Sequence, residues 1–274
     1  MDNQTSVPFR KQLLVYFGFT FLFTWGIWLT LAIFRLDSPI YKVGTFAPTI
    51  VALLLTWSQR GGSGVKALLQ KLLIWRVHVG WYLFSLFVTV PIVLAAIWIH
   101  VWLGGVKPQF NDPSQIYLII PAFLYVLFFS VLGEEIGWRG YALPRLLENT
   151  SGLNASLILG LIWGLWHLPL FWMAGNFHSQ IPLTAFLLQV VAATIVYTWM
   201  YVNTDGSLLL PHLFHAASNT TLGLLPILPM DTGGAVRPMW IAVVLWCLVA
   251  FVIVIVTGRD LEHHYQEDTQ RKSQ

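Results

Sequence analysis

Residues 81–103 read WYLFSLFVTVPIVLAAIWIHVWL, without a single Asp, Glu, Lys or Arg. A hydrocarbon core takes about 20 apolar helical residues per crossing, so this run is long enough to cross alone. Seven comparable runs lie on either side of it: Leu13–Phe34, Ile40–Trp57, Ile116–Gly133, Ala155–Ala174, Leu183–Val202, Ser207–Leu225 and Met239–Thr257. They predict an all-α polytopic membrane protein with about eight transmembrane helices, forming one membrane domain over residues 1–274. Leu13–Phe34 is too long for a signal-peptide core and no small-x-small cleavage site follows it, so it reads as an uncleaved first span.

Composition agrees. Of 274 residues 57% are hydrophobic and 10% charged, against about 25% charged in soluble domains. That excludes a soluble globular domain, and it excludes disorder, which requires low hydrophobicity. The net charge of +3 is small and spread over loops, so no nucleic-acid partner is expected; the expected surroundings are the lipid bilayer of a cell membrane. Cys247 is the single cysteine, which excludes an internal disulfide or a thiolate metal cage. Gln59–Gly64 reads as a flexible link, and Val65–Val77 as a basic, amphipathic segment suited to the membrane interface.

Orientation follows from the Lys/Arg bias of the loops. With the N-terminus inside, eight spans return the C-terminus inside, and 258–274 becomes a cytoplasmic tail. The inside then holds Arg10, Lys11, Arg60, Lys66, Lys71, Arg76, Arg139, Arg145, Arg259, Arg271 and Lys272. The outside holds Arg35, Lys42, Lys107 and Arg237. Even with Arg139 set aside as a site candidate, the bias favours N-in/C-in.

Ionisable side chains at membrane depth are costly and mark function. Here they gather in three places: Glu134-Glu135-Ile136-Gly137-Trp138-Arg139-Gly140, Trp163-Gly164-Leu165-Trp166-His167-Leu168-Pro169, and His212-Leu213-Phe214-His215-Ala216-Ala217-Ser218-Asn219. Glu135 and Arg139 are i,i+4 in the favourable order for a helical ion pair. Glu134 points about 100° away and has no such partner. His215 and Asn219 share a face at i,i+4, with His212 three residues earlier on the same stripe. Rise arithmetic from the inner end puts Glu134 at about 15 Å, His167 at about 18 Å, His215 at about 12 Å and Asn219 at about 18 Å. The groups are therefore expected to share one layer, on the cytoplasmic half.

A carboxylate, two imidazoles and a carboxamide in a partly dry cavity suit activation of water for attack on a carbonyl, with His and Asn donors for the oxyanion. Glu134, His167 and His215 equally make a Zn2+ ligand set with water in the fourth position. The sequence lacks a His-Glu-x-x-His zinc helix and a Gly-x-Ser-x-Gly elbow. His78 and His100, near span ends, are expected at the interface; His178 reads as an outer-loop residue, and His263 and His264 as solvated.

Taken in order, Glu134-Glu135-x-x-x-Arg139, Trp163-x-x-x-His167 and His215-x-x-x-Asn219 resemble the three signatures of the CPBP family, which comprises type II CAAX prenyl endopeptidases and bacteriocin-processing or self-immunity membrane proteins. The resemblance covers residues 116–225, the expected catalytic core. It implies that Glu134 with His167 activates water, that His215 and Asn219 stabilise the oxyanion, and that Glu135 and Arg139 support them. It leaves both the zinc and the Glu/His readings standing. Trp163 departs from the usual Phe of the pattern, with an aromatic packing role retained, and His212 has no place in it. The function expected is an intramembrane endopeptidase acting near the cytoplasmic face on a membrane-associated peptide or protein, with a prenylated CAAX-type substrate as the family name suggests. The rival is a non-proteolytic immunity protein or a proton-coupled transporter, since membrane-buried Glu and His also relay protons.

Overall fold

A computed structural model describes residues 9–36, 38–110, 113–173 and 175–262. Every regular element among them is helical. In chain order they are α1 (Phe9–Ile33), α2 (Tyr41–Thr45), α3 (Ala47–Gln70), α4 (Val79–Phe87), α5 (Thr89–Trp102), α6 (Ile119–Phe129), α7 (Leu143–Leu147), α8 (Gly152–Trp166), α9 (Leu183–Val202), α10 (Leu209–Leu224) and α11 (Arg237–Thr257).

Hydrogen bonds between distant segments define two ends of the bundle. At one end Arg145 Nε donates to Gln12 Oε1 (3.1 Å), and its Nη2 donates to Gln59 Oε1 (3.4 Å). There too, Leu153 N donates to Arg259 O (2.8 Å) and Leu208 N to Lys71 O (3.0 Å). At the other end Trp28 Nε1 donates to Tyr41 O (2.7 Å) and Arg237 Nε to His100 Nδ1 (3.1 Å). Six stretches are long and apolar enough to cross a membrane: 10–33, 79–102, 116–133, 152–172, 183–202 and 237–257. Helices α3 and α10 lie outside that set: α10 is only 16 residues long and carries His212, His215, Ser218 and Asn219. A span this polar lasts in a bilayer because neighbouring helices cover it.

The sequence cues for helix ends are used. Ser151 caps α8, its hydroxyl accepting from Asn154 N at 3.3 Å, and Pro48, Pro144 and Pro238 sit in first turns, where a missing N–H costs nothing. The expected flexible link Gln59–Gly64 is instead part of α3, which runs through it with a kink at Gly61 (φ 62°). The Val65–Val77 segment divides into the last turns of α3, a 3-10 turn at Lys71–Leu73 and an extended exit. His78 caps α4 through Nδ1, and His100 is buried against Arg237 rather than placed at an interface. Asp260 and Glu262 close the described chain; most of the expected tail, with His263 and His264, lies outside the described residues.

Helix α8 packs on α9 so closely that a Cβ on Gly160 would stand 2.9 Å from Val191 Cα. Small residues substitute for hydrophobic drive between helices in lipid by letting backbones approach. This seam fixes α8, which carries Trp163, and His167 at its C-terminal cap.

Candidate active site

The first signature does not lie on the continuous α-helix expected from span four to Pro144. Helix α6 ends at Phe129, Ser130 leaves helical geometry, a 3-10 turn covers Val131–Gly133, and Ile136–Ala142 wind as a π-helix. Such wide turns are rare and recur at functional sites. The cause lies in packing against α1 and α3. A Cβ on Gly133 would meet Thr45 O at 2.8 Å, and one on Gly137 would collide with the Pro48 carbonyl and the Tyr16 hydroxyl. Two glycines thus bring this segment against the α3 backbone and carry both glutamates into the interior.

The i,i+4 pair forms as the spacing predicted. Arg139 Nη1 donates to Glu135 Oε1 at 2.8 Å, and both side chains are fully buried. The guanidinium lies between two aromatic rings, 4.1 Å from the Trp163 centroid and 3.8 Å from that of Tyr197. Flat, delocalised cations suit such a slot. The same Glu135 oxygen receives His215 Nδ1 at 2.8 Å, so a buried carboxylate joins the first signature to the third. With Nδ1 bonded to the carboxylate, His215 has Nε2 left for a ligand.

Trp163 ties the second signature to the first. Its indole Nε1 donates to Glu134 Oε2 at 2.9 Å, and its carbonyl oxygen accepts from His167 Nδ1 at 2.8 Å. Glu134 therefore has a partner that helical arithmetic within its own segment did not show. A carbonyl only accepts, so the proton of neutral His167 sits on Nδ1 and the lone pair on Nε2. The Trp163 ring lies edge-on to both imidazoles, with centroids 5.7 Å from His167 and 5.4 Å from His215. The packing role expected of an aromatic at 163 is present, and the indole adds a donor that Phe would lack.

One cavity of about 680 Å³ unites the groups: Glu134, His167, His215 and Asn219 all line it. Asn219 is exposed there, one helical turn beyond His215. Thr89 and Ser218 hydroxyls, 2.8 Å apart, hold α10 to α5 beside it. His212 does not line the cavity; its Nδ1 bonds to Leu208 O at 2.6 Å within a buried face, which is a packing role. Among the described residues no group of three or more His, Cys, Asp or Glu side chains is gathered so as to hold a metal ion. The three side chains of the expected Zn2+ set, Glu134, His167 and His215, line one cavity without being gathered into such a group.

Sequence reasoning missed His178. Read as an outer-loop residue, it is only 5% exposed and lines the same cavity. Its ring stacks on His167 with centroids 5.6 Å apart at 30°. Asn176 Oδ1 accepts from both His178 N (3.1 Å) and His178 Nδ1 (2.7 Å), which leaves Nε2 with the lone pair. Burial, and the neighbouring His167, hold this imidazole well below its ordinary range, so it is neutral. The available signal was the spacing of Asn176 and His178 in a loop closed by Phe177 and Ile181.

The cavity lining gives the depth of the site within the bundle. His167 follows Trp166, the last residue of α8, about 22 Å from the Gly152 end by helical rise. The loop-side lining comes from Leu36, Ser38, Gly175, Phe177 and Ile227, all at the end away from Arg145 and Arg259. No lining residue comes from the Arg145 end.

Residues 116–221, which run from α6 into α10 and hold Glu134, Glu135, Arg139, Trp163, His167, His178, His215 and Asn219, match the family model described as "Type II CAAX prenyl endopeptidase Rce1-like". Over 230 residues the chain is 29% identical to "CAAX prenyl protease 2" of Methanococcus maripaludis, covering 78% of this chain and 84% of that protein. A polytopic helical bundle and three signatures converging on one internal cavity accompany this similarity to the Rce1-like type II CAAX prenyl endopeptidase family over residues 116–221, and the chain is a multi-pass membrane endopeptidase.

Proposed function

We propose that the chain hydrolyses a peptide bond of a membrane-attached substrate within this cavity, using water activated by Glu134 and His167. The observation that carries the reading is the single chamber shared by Glu134, His167, His215 and Asn219. Glu134 keeps Oε2 on the Trp163 indole, so Oε1 is the oxygen left to take a proton from water. His167, locked as the Nδ1–H form by the Trp163 carbonyl, accepts from the same water through Nε2. Water oxygen bonds to the scissile carbon as its proton passes to Glu134. The carbon–nitrogen bond then breaks, and Glu134 returns that proton to the leaving amine.

The developing oxyanion falls to His215 and Asn219. The Asn219 carboxamide donates without any change of state. His215 turns Nε2 to the cavity while the Glu135 carboxylate holds its Nδ1. Preorganised donors of this kind are worth about 10²–10³ in rate.

Much of the remaining lining is apolar and aromatic, including Trp28, Phe129, Phe186, Phe214, Met239 and Trp246. Such a wall accepts a lipid-modified or strongly apolar peptide, and a prenylated CAAX-type C-terminus meets that description. Purified protein in micelles is offered matched peptides with and without a farnesylated cysteine, and the products are weighed by mass spectrometry. Cleavage of the farnesylated peptide alone supports the prenyl reading; equal cleavage of both removes the prenyl requirement; cleavage of neither refutes the endopeptidase proposal. A chelator titration on the same assay separates a zinc-held water from one held by Glu134 and His167 alone.

A further inference from the structure

Lys42 is the one Lys or Arg among the described residues that line the chamber, and Glu134 is the one Asp or Glu. The lysine is half-buried. A cation facing apolar walls is costly unless something meets its charge. Among the described residues no Asp or Glu pairs with Lys42. Its Nζ rests instead beside two aromatic rings, 4.4 Å from the Tyr125 centroid and 5.9 Å from that of Tyr41, and both residues line the chamber too. An ammonium held on ring faces keeps N–H donors for an anion.

Packing of α2 bounds the separation of this ammonium from Glu134. Thr45 lies one turn after Lys42, where α2 meets the first signature: a Cβ on Gly133 would stand 2.8 Å from Thr45 O. Gly133 immediately precedes Glu134. Three residues of helix advance about 4.5 Å, which is the offset of Lys42 from that contact. The path along α6 agrees. From Tyr125 to Phe129 is about 6 Å of helix, and the turns on to Gly133 add no more than about 8 Å. Both paths put the ammonium about 5–15 Å from the carboxylate, and three residues of extended peptide span about 10 Å.

We propose that Lys42 anchors the C-terminal carboxylate of the substrate, so that the chamber selects a peptide bond close to a free chain end. The inference rests on the proposed peptide hydrolysis and adds the residue that registers the peptide on Glu134. A chain end carried into an aromatic chamber brings a carboxylate whose desolvation must be offset by a cation. Glu134 repels that carboxylate, and Lys42 is the cation at hand. The two charges together orient the peptide, with its free end at Lys42, its scissile carbon at Glu134 and any lipid along the apolar wall. An internal loop or an amidated end brings no such anion.

The test crosses two substrates with three proteins. A farnesylated reporter peptide is made with a free C-terminal carboxylate and as its C-terminal amide, and each is offered to the parent protein, Lys42→Met and Lys42→Arg in micelles. The parent is expected to cleave the acid with kcat/KM about tenfold above the amide, chiefly through KM. K42M is expected to cleave the acid no better than the amide, while K42R keeps most of the preference. Equal cleavage of acid and amide by the parent overturns the proposal. So does an acid preference that survives in K42M, or loss of both substrates by K42M at an unchanged unfolding temperature. Should K42M fold poorly, Lys42→Gln repeats the measurement. A binding arm separates the anchor from the chemistry: Glu134→Gln protein, with and without K42M, is titrated with fluorescently labelled acid and amide. Tighter binding of the acid that depends on Lys42, with no cleavage of either peptide by the parent, refutes the hydrolysis and leaves the anchor standing. Cleavage without acid preference overturns the anchor while the hydrolysis stands.

Discussion

His215 and Arg139 share one oxygen: Glu135 Oε1 lies 2.8 Å from His215 Nδ1 and 2.8 Å from Arg139 Nη1. One carboxylate thus neutralises a guanidinium held between Trp163 and Tyr197 and orients an imidazole 80 residues further along the chain. Glu135 and Arg139 do not line the cavity, so they act through His215.

Glu135→Gln keeps the shape and weakens the hold on His215 Nδ1. The expected result is a fall in kcat of about 10²-fold with KM nearly unchanged, measured by steady-state cleavage of the reporter peptide. Arg139→Met leaves a buried carboxylate without its guanidinium and is expected to cost about 3–5 kcal/mol of stability, read as a lower unfolding temperature in micelles. Arg139→Lys does not restore the parent value, because an ammonium does not fill a slot built for a planar cation.

Glu134→Gln tests the base itself. The amide oxygen still accepts from the Trp163 indole, so the unfolding temperature stays near the parent value. Activity is expected to fall about 10²–10⁴-fold. Parent-level cleavage by a folded E134Q protein assigns the base elsewhere.

Trp163→Phe keeps a ring between Arg139, His167 and His215 and deletes only the donor to Glu134 Oε2. Loss of a hydrogen bond to a charged group is worth about 1.5–3 kcal/mol, so kcat is expected to drop by about one order of magnitude. An unchanged kcat shows that the indole donor does not help to hold the carboxylate.

His178→Leu retains apolar bulk against His167 and removes the ring's bond to Asn176 while the backbone N–H of residue 178 keeps its own. The loop over residues 175–182 is then held less firmly, and the expected signature is a rise in KM larger than the fall in kcat. An equal fall in kcat and in kcat/KM instead places His178 at the reacting atoms.

Much of this was legible in the chain. Runs without charge, such as 81–103, announce helices because hydrocarbon admits little else. The pairing of Glu135 with Arg139 follows from i,i+4 geometry and survives the change to π winding, since one turn of either helix keeps the two side chains close. One feature was hidden. His178 looked solvated because a loop residue normally is; nothing local reveals that its loop folds inward over His167.

The amino-acid order by itself determined the helices, their alternating direction and the three clusters of buried ionisable groups, because periodicity and polarity act over a few residues. Tertiary packing alone decided which atoms meet. Gly133 and Gly137 against α3, and Gly160 against α9, set the depths at which three separate segments face one another. The end at which their common chamber lies follows from that packing, since hydrogen bonds and close contacts between residues 80 positions apart have no signature in local sequence.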